Sequence, residues 1–314
     1  MSRGELGNRR LLERAGAKAA ITTSDLTGGT KSGRLNPEQA DRFIDYVVDQ
    51  SVLFKQGIRV RRMNADRADL DKLAIGTRVI RKATENVAPT DLVGITTSKR
   101  QLTVTEIILP VDVTFSFYED NIERENFEDH LMRMMATTLS NDLEDLAING
   151  DTDSGDAFVQ IEDGWVDLLK TAADNVYDTN AGDDFRNTIF PGMLTAMPVK
   201  FKGNKSALRF YVSVTNEEKY RAQIAQRQTA GGDSVLLNGG SVTYDGIPVV
   251  GVPYLGNADS MLTLPDNLVF GVRRDISLGI FRHERKRAFE YTWTLRVDFQ
   301  IVEPDAAVIA YDAT

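Results

Sequence analysis

Residues 289–301 read FEYTWTLRVDFQI and carry the clearest local signal in the chain. Seven apolar side chains occupy the odd-numbered positions, and polar or charged side chains occupy the even-numbered positions between them. Successive side chains of a strand point to opposite faces of its sheet, so strict alternation indicates that one face is buried. We therefore predict a long, half-buried strand near the end of the chain.

The region upstream of this strand is divided into shorter predicted elements. Residues 268–281 predict another strand, and residues 282–287 predict a charged turn between the two strands. Residues 183–262 alternate short helices and strands with glycine-rich breaks. There, Thr215 and Glu218 form a capping box that opens a helix to about residue 226, and Asp245 with Gly246 marks a turn. We interpret residues 183–262 as a second, inserted domain.

The longest predicted helix covers about residues 124–149, which at 1.5 Å per residue is about 38 Å. Gly150 follows directly, as glycine commonly does at a helix C-terminus. Apolar side chains at three- and four-residue spacing give this helix one buried stripe: Phe127, Leu131, Met135, Leu139, Leu143 and Leu146.

Residues 75–117 predict a long β-hairpin. Its first arm is placed at residues 78–85, its polar tip at residues 87–98 and its returning arm at residues 102–117. With about 15 residues counted for each arm out to the tip, the hairpin could reach roughly 50 Å at about 3.3 Å per residue. The outer part carries charge on both faces, and a lone two-stranded ribbon is marginal in water. We therefore expect the ribbon to be ordered by lying on another subunit.

The N-terminal region differs in charge from the rest of the chain. Residues 1–34 contain seven basic and three acidic residues, which gives them a net charge of +4. Because the whole chain has a net charge of −9, the remaining residues have a net charge of −13. Residues 1–35 are interpreted as a flexible arm, and residues 27–33 as a linker rather than a phosphate-binding loop, because the glycine and lysine spacing fails that motif. A helix capped by Asn36 follows and presents Phe43 on its apolar face.

The composition narrows the possible chemistry. The chain has no cysteine and two histidines, His130 and His283, which excludes thiolate sites and argues against histidine-based catalysis or metal binding. The absence of a signal peptide and of a long apolar run predicts a soluble protein that is made in a cytoplasm and has no membrane partner. The alternating aspartates Asp151, Asp153 and Asp156 leave a calcium loop open, although the EF-hand spacing fails and a solvated turn is the default.

The order of these elements resembles the Hong Kong 97-like capsid fold of tailed phages, which encapsulins and herpesvirus shells also use. Four short stretches carry the resemblance in sequence: residues 143–151 (LEDLAINGD), 163–165 (DGW), 246–249 (GIPV) and 270–276 (FGVRRDI). The fold class expected from it is α+β, with an arm at residues 1–58 and an extended hairpin loop at 59–115. The peripheral domain with its spine helix would comprise residues 116–182 and 263–314, and the inserted axial α/β domain residues 183–262.

The resemblance implies a major capsid protein in the virion, assembled in the host cytoplasm as hexamers and pentamers around packaged double-stranded DNA that it contacts without sequence preference. It implies procapsid maturation, a portal protein and, in some relatives, decoration or cement proteins. The arm is too short to include a scaffolding segment, so a separate scaffolding protein is expected. Some relatives crosslink a lysine to a neighbour's asparagine, for which Lys82 or Lys99 would be the donor.

No catalytic, metal or cofactor residue is expected under this interpretation. Two alternatives stay open: an encapsulin-like compartment, and a carboxylate-based hydrolase using Asp151, Asp153 and Asp156, or Glu284 with His283. The candidate residues for contacts between subunits are Arg9, Arg10, Phe43, Arg78, Arg81, Lys82, Asp91, Lys99, Arg100, Gly231, Gly232, Arg285 and Arg287.

Overall fold

The structure is a computed structural model, and it describes residues 31–34, 51–75, 95–120, 127–172, 175–179, 183–225, 242–273 and 276–312. The predicted helix at Asn36, the predicted first arm at residues 78–85, residues 87–94 of the predicted hairpin tip and the glycine-rich loop near Gly231 lie outside these residues. Within the described ranges, no helix is both long and apolar enough to cross a membrane.

Fourteen strands and five helices are described, numbered here in chain order. The strands are β1 (Lys31–Arg34), β2 (Arg59–Met63), β3 (Arg67–Ile75), β4 (Ile95–Thr103), β5 (Thr105–Thr114), β6 (Val176–Asp178), β7 (Arg209–Ser213), β8 (Thr243–Tyr244), β9 (Ile247–Val252), β10 (Ser260–Thr263), β11 (Leu268–Arg273), β12 (Ser277–His283), β13 (Ala288–Ile301) and β14 (Ala307–Tyr311). The helices are α1 (Phe115–Asp120), α2 (Phe127–Asn149), α3 (Trp165–Ala172), α4 (Phe190–Ala196) and α5 (Val214–Ala225).

The first sheet is built on β13, which confirms the predicted long strand near the end of the chain. Its strands run in the order β1-β12-β13-β11-β2, and β5 also pairs with β13. Val297 pairs with both Val272 of β11 and Thr105 of β5, so these two strands lie on opposite edges of β13. Tyr291 likewise pairs with Ile280 of β12 and Val111 of β5, which places β12 on the same edge as β11. The apolar residues of β13 face a core shared with helices α2 and α3.

The second sheet has the strand order β6-β14-β10-β7-β9-β8. One face joins the first core through residues such as Tyr211 and Ile309, and the other covers a second core with α4 and α5. The predicted turn at Asp245 and Gly246 is confirmed, with φ of 49° and 80°. Helix α5 is also confirmed, but the predicted cap is wrong: the hydroxyl of Ser213, rather than that of Thr215, accepts a hydrogen bond from the Asn216 N–H at 3.2 Å.

Helix α2 matches the predicted long helix, with a start at Phe127 because residues 121–126 are outside the described part. Of its predicted stripe, Met135, Leu139, Leu143 and Leu146 are buried. The predicted stop at Gly150 is confirmed by a close backbone contact: the Gly164 N–H donates to the Gly150 carbonyl oxygen at 2.9 Å. A Cβ on Gly150 would lie 2.6 Å from the Leu146 carbonyl oxygen, and one on Gly164 would lie 2.8 Å from the Gly150 nitrogen.

Helix α2 also holds residues 51–53 through a buried carboxylate. Glu144 is only 2% exposed, and its two oxygens accept hydrogen bonds from the Ser51 hydroxyl at 2.6 Å, the Val52 N–H at 3.0 Å and the Leu53 N–H at 3.2 Å. A buried charge is tolerated when its oxygens are satisfied in this way. Glu144 therefore fixes the point at which the N-terminal segment enters the core.

The hairpin differs from its prediction at both ends. Its first arm contains β3, which begins at Arg67 rather than residue 78. The returning arm begins at Ile95 rather than residue 102, so residues 95–98 are strand instead of tip, and this arm is split at Val104 into β4 and β5. Residues 115–117 belong to helix α1 instead of the strand. Residues 31–33 were predicted as part of a flexible linker but belong to strand β1, which pairs with β12. The edge of β12 that does not pair with β13 offers backbone hydrogen-bonding groups to an extended segment.

Asp298 holds the hairpin where it leaves the sheet. Its carboxylate is 4% exposed and accepts a hydrogen bond from the Thr103 N–H at 2.6 Å, next to the break between β4 and β5. Burial raises the pKa of Asp298 to about 7, and the nearby carboxylates of Glu162 and Asp163 add to this shift, whereas the Thr103 N–H opposes it. The ionised form of Asp298 is thus disfavoured in the folded state.

Replacing Glu144 with Ala should lower the free energy of unfolding by about 2–4 kcal/mol, because the buried Leu53 N–H, the partly buried Val52 N–H and the buried Ser51 hydroxyl would lose their acceptor. Urea denaturation of purified subunits measures the change. The exposed Glu218 of α5 is the matched control, and its replacement with Ala should change stability by less than about 0.5 kcal/mol. Equal effects at both positions would contradict the role given to Glu144.

Asp298→Asn should stabilise the subunit at pH 8 by about 2–4 kcal/mol relative to wild type and much less at pH 4. The folded state holds the Asp298 proton more tightly than the unfolded state, so wild-type stability falls as the pH rises from about 4 to about 7 and then levels off. Asparagine keeps an oxygen that can accept from Thr103 and has no charge to bury. Urea midpoints of both proteins across this pH range test the prediction, and parallel profiles would refute it.

Candidate subunit-contact surfaces

The ribbon of β3 and β4 is anchored at its base and open beyond it. Leu70 and Leu102 are buried together with Met63 and Val269 in a small cluster beneath the ribbon. Farther out, Lys99 lies between Asp69 and Asp71 at 3.2 Å and 3.7 Å. The hydrogen bond to Asp69 and both negative charges raise the pKa of Lys99, whose side chain is exposed. Next to the base, the described side chains of the ribbon are therefore mostly charged.

A groove runs between the ribbon and the end of β13. It has a volume of about 580 Å³, and an ion pair between Lys72 and Glu303 crosses it. The ribbon lines it with Leu70, Lys72, Lys99, Arg100 and Gln101, and the body with Gln300, Val302, Glu303, Pro304 and Asp305. Charges of both signs on its walls suit a polar chain segment better than an apolar ligand.

The contact candidates from the sequence fall into two described groups. Lys99 and Arg100 line the groove beside the ribbon, whereas Arg285 and Arg287 lie in the turn between β12 and β13. The structure does not bring these two groups together. The remaining candidates lie outside the described residues: Arg9, Arg10, Phe43, Arg78, Arg81, Lys82, Asp91, Gly231 and Gly232.

The turn between β12 and β13 projects a basic and aromatic surface, residues 281–289, which we call the basic tip. Arg282 lies over the rings of Phe115 and Phe289, at 5.0 Å and 5.8 Å from their centroids. Phe281 is 44% exposed. Arg287 adopts a positive φ of 51°, and its carbonyl oxygen accepts a hydrogen bond from the Phe115 N–H at 2.9 Å, so the tip is fastened to the start of α1.

An acidic surface, residues 151–163, follows the end of α2, and we call it the acidic loop. It contains five carboxylates and no basic residue. Asp151 accepts from the Asp153 N–H at 2.9 Å, and Asp156 accepts from the Phe158 N–H at 2.8 Å. Burial raises the pKa of Asp167 in the adjoining helix, and the loop's aspartates raise it further.

The geometry bears on the calcium and hydrolase alternatives. No group of three or more metal-ligating side chains occurs among the residues that the structure describes. His283 Nε2 lies 2.6 Å from a Glu290 oxygen, whereas Glu284 pairs with Arg282 at 2.9 Å instead of with the histidine. The proposed acid and base pair, Glu284 with His283, is therefore not assembled in the way that the hydrolase alternative requires.

Comparison with known proteins gives the family. No protein-family model matches the chain. A Bacillus subtilis (strain 168) protein, YqbE, named as a prophage capsid protein, is 32% identical over 303 residues, which cover 92% of this chain and 94% of the relative.

Solved structures agree on the fold. A chain of the satellite phage P4 procapsid with its size determination (Sid) protein superposes with a TM-score of 0.68 at 12% identity, covering 99% of this chain and 98% of the other. A chain from the capsid of a native GTA particle superposes with a TM-score of 0.60 at 16% identity, covering 92% of this chain and 94% of the other. A structure from Gordonia phage Cozz superposes with a TM-score of 0.57 at 15% identity, covering 83% of this chain and 86% of the other. The identity to YqbE along nearly the whole chain, together with the Hong Kong 97-like fold, shows that this chain belongs to the phage capsid protein family.

Proposed function

We propose that this chain is the major building block of a phage head, in which hexamers and pentamers close into an icosahedral shell around double-stranded DNA. The family to which it belongs supports a structural role, and we assign the chain no catalytic activity. It would act in the virion after assembly in the host cytoplasm.

The observation that carries this proposal is the β3–β4 ribbon. Its two strands stay paired from Arg67 with Thr103 to Ile75 with Ile95, yet its buried apolar contacts within the described chain are at its base, around Leu70 and Leu102. A two-stranded ribbon needs a further surface to be stable in water. A neighbouring copy of the chain supplies that surface in our proposal.

The charge of the body fits an inner wall for packaged DNA. The chain outside residues 1–34 carries a net charge of −13, and affinity for DNA rests on basic groups that neutralise phosphate. Many of the described basic residues are also engaged by carboxylates, for example Arg296 with Glu106 at 2.6 Å. We propose that contacts with DNA are weak and independent of sequence, which leaves the packaged DNA mobile.

We assign the arm to residues 1–58, the extended loop to 59–115, the peripheral domain to 116–182 and 263–314, and the axial domain to 183–262. Strands β6 and β14 of the peripheral segments would complete the axial sheet. In our assignment the loop containing Gly231 and Gly232 points at the capsomer centre.

Further partners complete the proposal. They are a separate scaffolding protein, a portal protein and a decoration or cement protein. Lys99 is paired with Asp69 and Asp71 within its own subunit, and Lys82, the other candidate for a covalent crosslink, lies outside the described residues. We propose that the shell is held by non-covalent contacts.

The direct test is sedimentation velocity and negative-stain microscopy of the purified chain, alone and with a co-expressed scaffolding protein. We expect capsomers or closed shells. A compact monomer at every concentration, with or without the scaffolding protein, would refute the proposal.

A ribbon variant makes the test sharper. Ile75 pairs with Ile95, so replacing residues 76–94 with an Asn-Gly turn closes the ribbon without changing its register. We expect subunits with an unchanged unfolding midpoint that form no stable shells, because the surface that lies on the neighbour has been removed. A Gly/Ser linker of the original length is the control for chain length and should also fail. Normal shells from the shortened chain would contradict the role of the ribbon.

A further inference from the structure

The basic tip and the acidic loop are opposite in charge. The tip, residues 281–289, contains four basic residues and one acidic residue, and the acidic loop carries five negative charges. Among the residues that the structure describes, Arg285, Lys286 and Arg287 have no carboxylate within ion-pair distance, and the carboxylates of the acidic loop have no such cation. Other acidic groups on the body do have such partners, such as Asp259 with Lys170 at 2.9 Å.

The two surfaces cannot meet within one subunit. The tip lies at Ala288, the first residue of β13, whereas Glu162 of the acidic loop lies beside Thr105, which pairs with Val297 near the other end of that strand. Nine residues of strand separate Ala288 from Val297, a distance of about 30 Å. Exposed charges so far apart are screened from each other at physiological salt, where the Debye length is about 8 Å.

Arg287 combines a strained backbone with an exposed side chain. A positive φ of 51° favours glycine or asparagine, and an arginine there adds backbone strain. Its side chain is exposed and has no ion pair among the described residues. Strained residues often mark functional sites, because the strain persists where the side chain is needed.

The tip also has the composition of an interface. Arginine and aromatic residues are enriched at protein contacts, and here Arg282 is stacked on Phe115 and Phe289 while Phe281 remains 44% exposed. The acidic loop already has an ordered backbone, because its own aspartates accept hydrogen bonds from its backbone N–H groups. Neither surface would need to fold on binding.

We propose that the basic tip of one subunit binds the acidic loop of a second copy of this chain. The proposal rests on the self-assembly proposed above and names one of its contacts. A contact between opposite ends of two identical subunits is heterologous, and such contacts propagate around rings or across a shell. The acidic loop is the partner because charge complementarity and its uncompensated carboxylates both favour it.

A charge swap tests the contact. Arg285→Glu with Arg287→Glu, and separately Asp153→Lys with Asp156→Lys, should each reduce the assembled fraction in sedimentation velocity by at least about tenfold. The combined fourfold variant should recover most of the assembly, because the complementary charges have been exchanged. The control, Lys202→Glu with Lys219→Glu, makes the same change in net charge as the tip variant at sites away from the tip and should assemble as wild type does.

The outcomes separate this contact from the function on which it rests. If both swap variants assemble as wild type does, or if the fourfold variant is no better than the tip variant, the contact is overturned and the shell function stands. If wild type remains monomeric under all conditions, both are overturned.

Arg287→Gly is a second, independent test. Glycine relieves the positive φ, so the unfolding midpoint of the subunit should stay the same or rise while the assembled fraction falls. The matched control is Asp245→Gly, at the other described non-glycine residue with positive φ, and it should leave assembly unchanged. A lower midpoint with normal assembly for Arg287→Gly would show that the arginine serves the turn and would overturn the proposal.

Discussion

Backbone hydrogen bonding along both edges of β13 sets the direction in which the β3–β4 ribbon leaves the body of the subunit. β11 and β12 share one edge of this strand, and β5 occupies the other for ten residue pairs. Because β5 continues into β4, the sheet fixes the angle at which the ribbon departs. A change in the register of β5 by one residue would turn its core-facing side chains outward and redirect the ribbon with them.

The sequence predicted the elements whose signal is periodic and local. The alternation at residues 289–301, the stripe on α2 and the glycine stop at Gly150 all reflect contacts made by neighbouring residues along one element. The start of the hairpin was wrong because β3 gains its order from Leu70 packing against Val269 and Met63, a contact distant in sequence. Residues 31–33 were misassigned for a similar reason, since their strand depends on the open edge of β12.

The surfaces of the candidate site were only partly predictable. Arg285 and Arg287 were recognised by charge, but the pairing that we propose for their turn could not be, because it depends on β13 placing the turn and the acidic loop near opposite ends of one strand. Glu144 and Asp298 were missed as structural residues because each occupies a position that simple periodicity assigns to solvent. Glu144 is covered by residues 51–53 and Asp298 by the junction of β4 and β5, so both are buried by segments far away in sequence.

The contact between Gly150 and Gly164 has a mechanical consequence. It closes residues 151–163 into a ring whose neck is bonded directly to the last turn of α2, because the Gly164 N–H reaches the Gly150 carbonyl oxygen and the Gly150 N–H reaches the Leu146 carbonyl oxygen. No side chain larger than hydrogen fits at this neck. Helix and loop therefore form one rigid unit, so a tilt of α2 would displace the acidic loop and, in our proposal, the point at which the next subunit attaches.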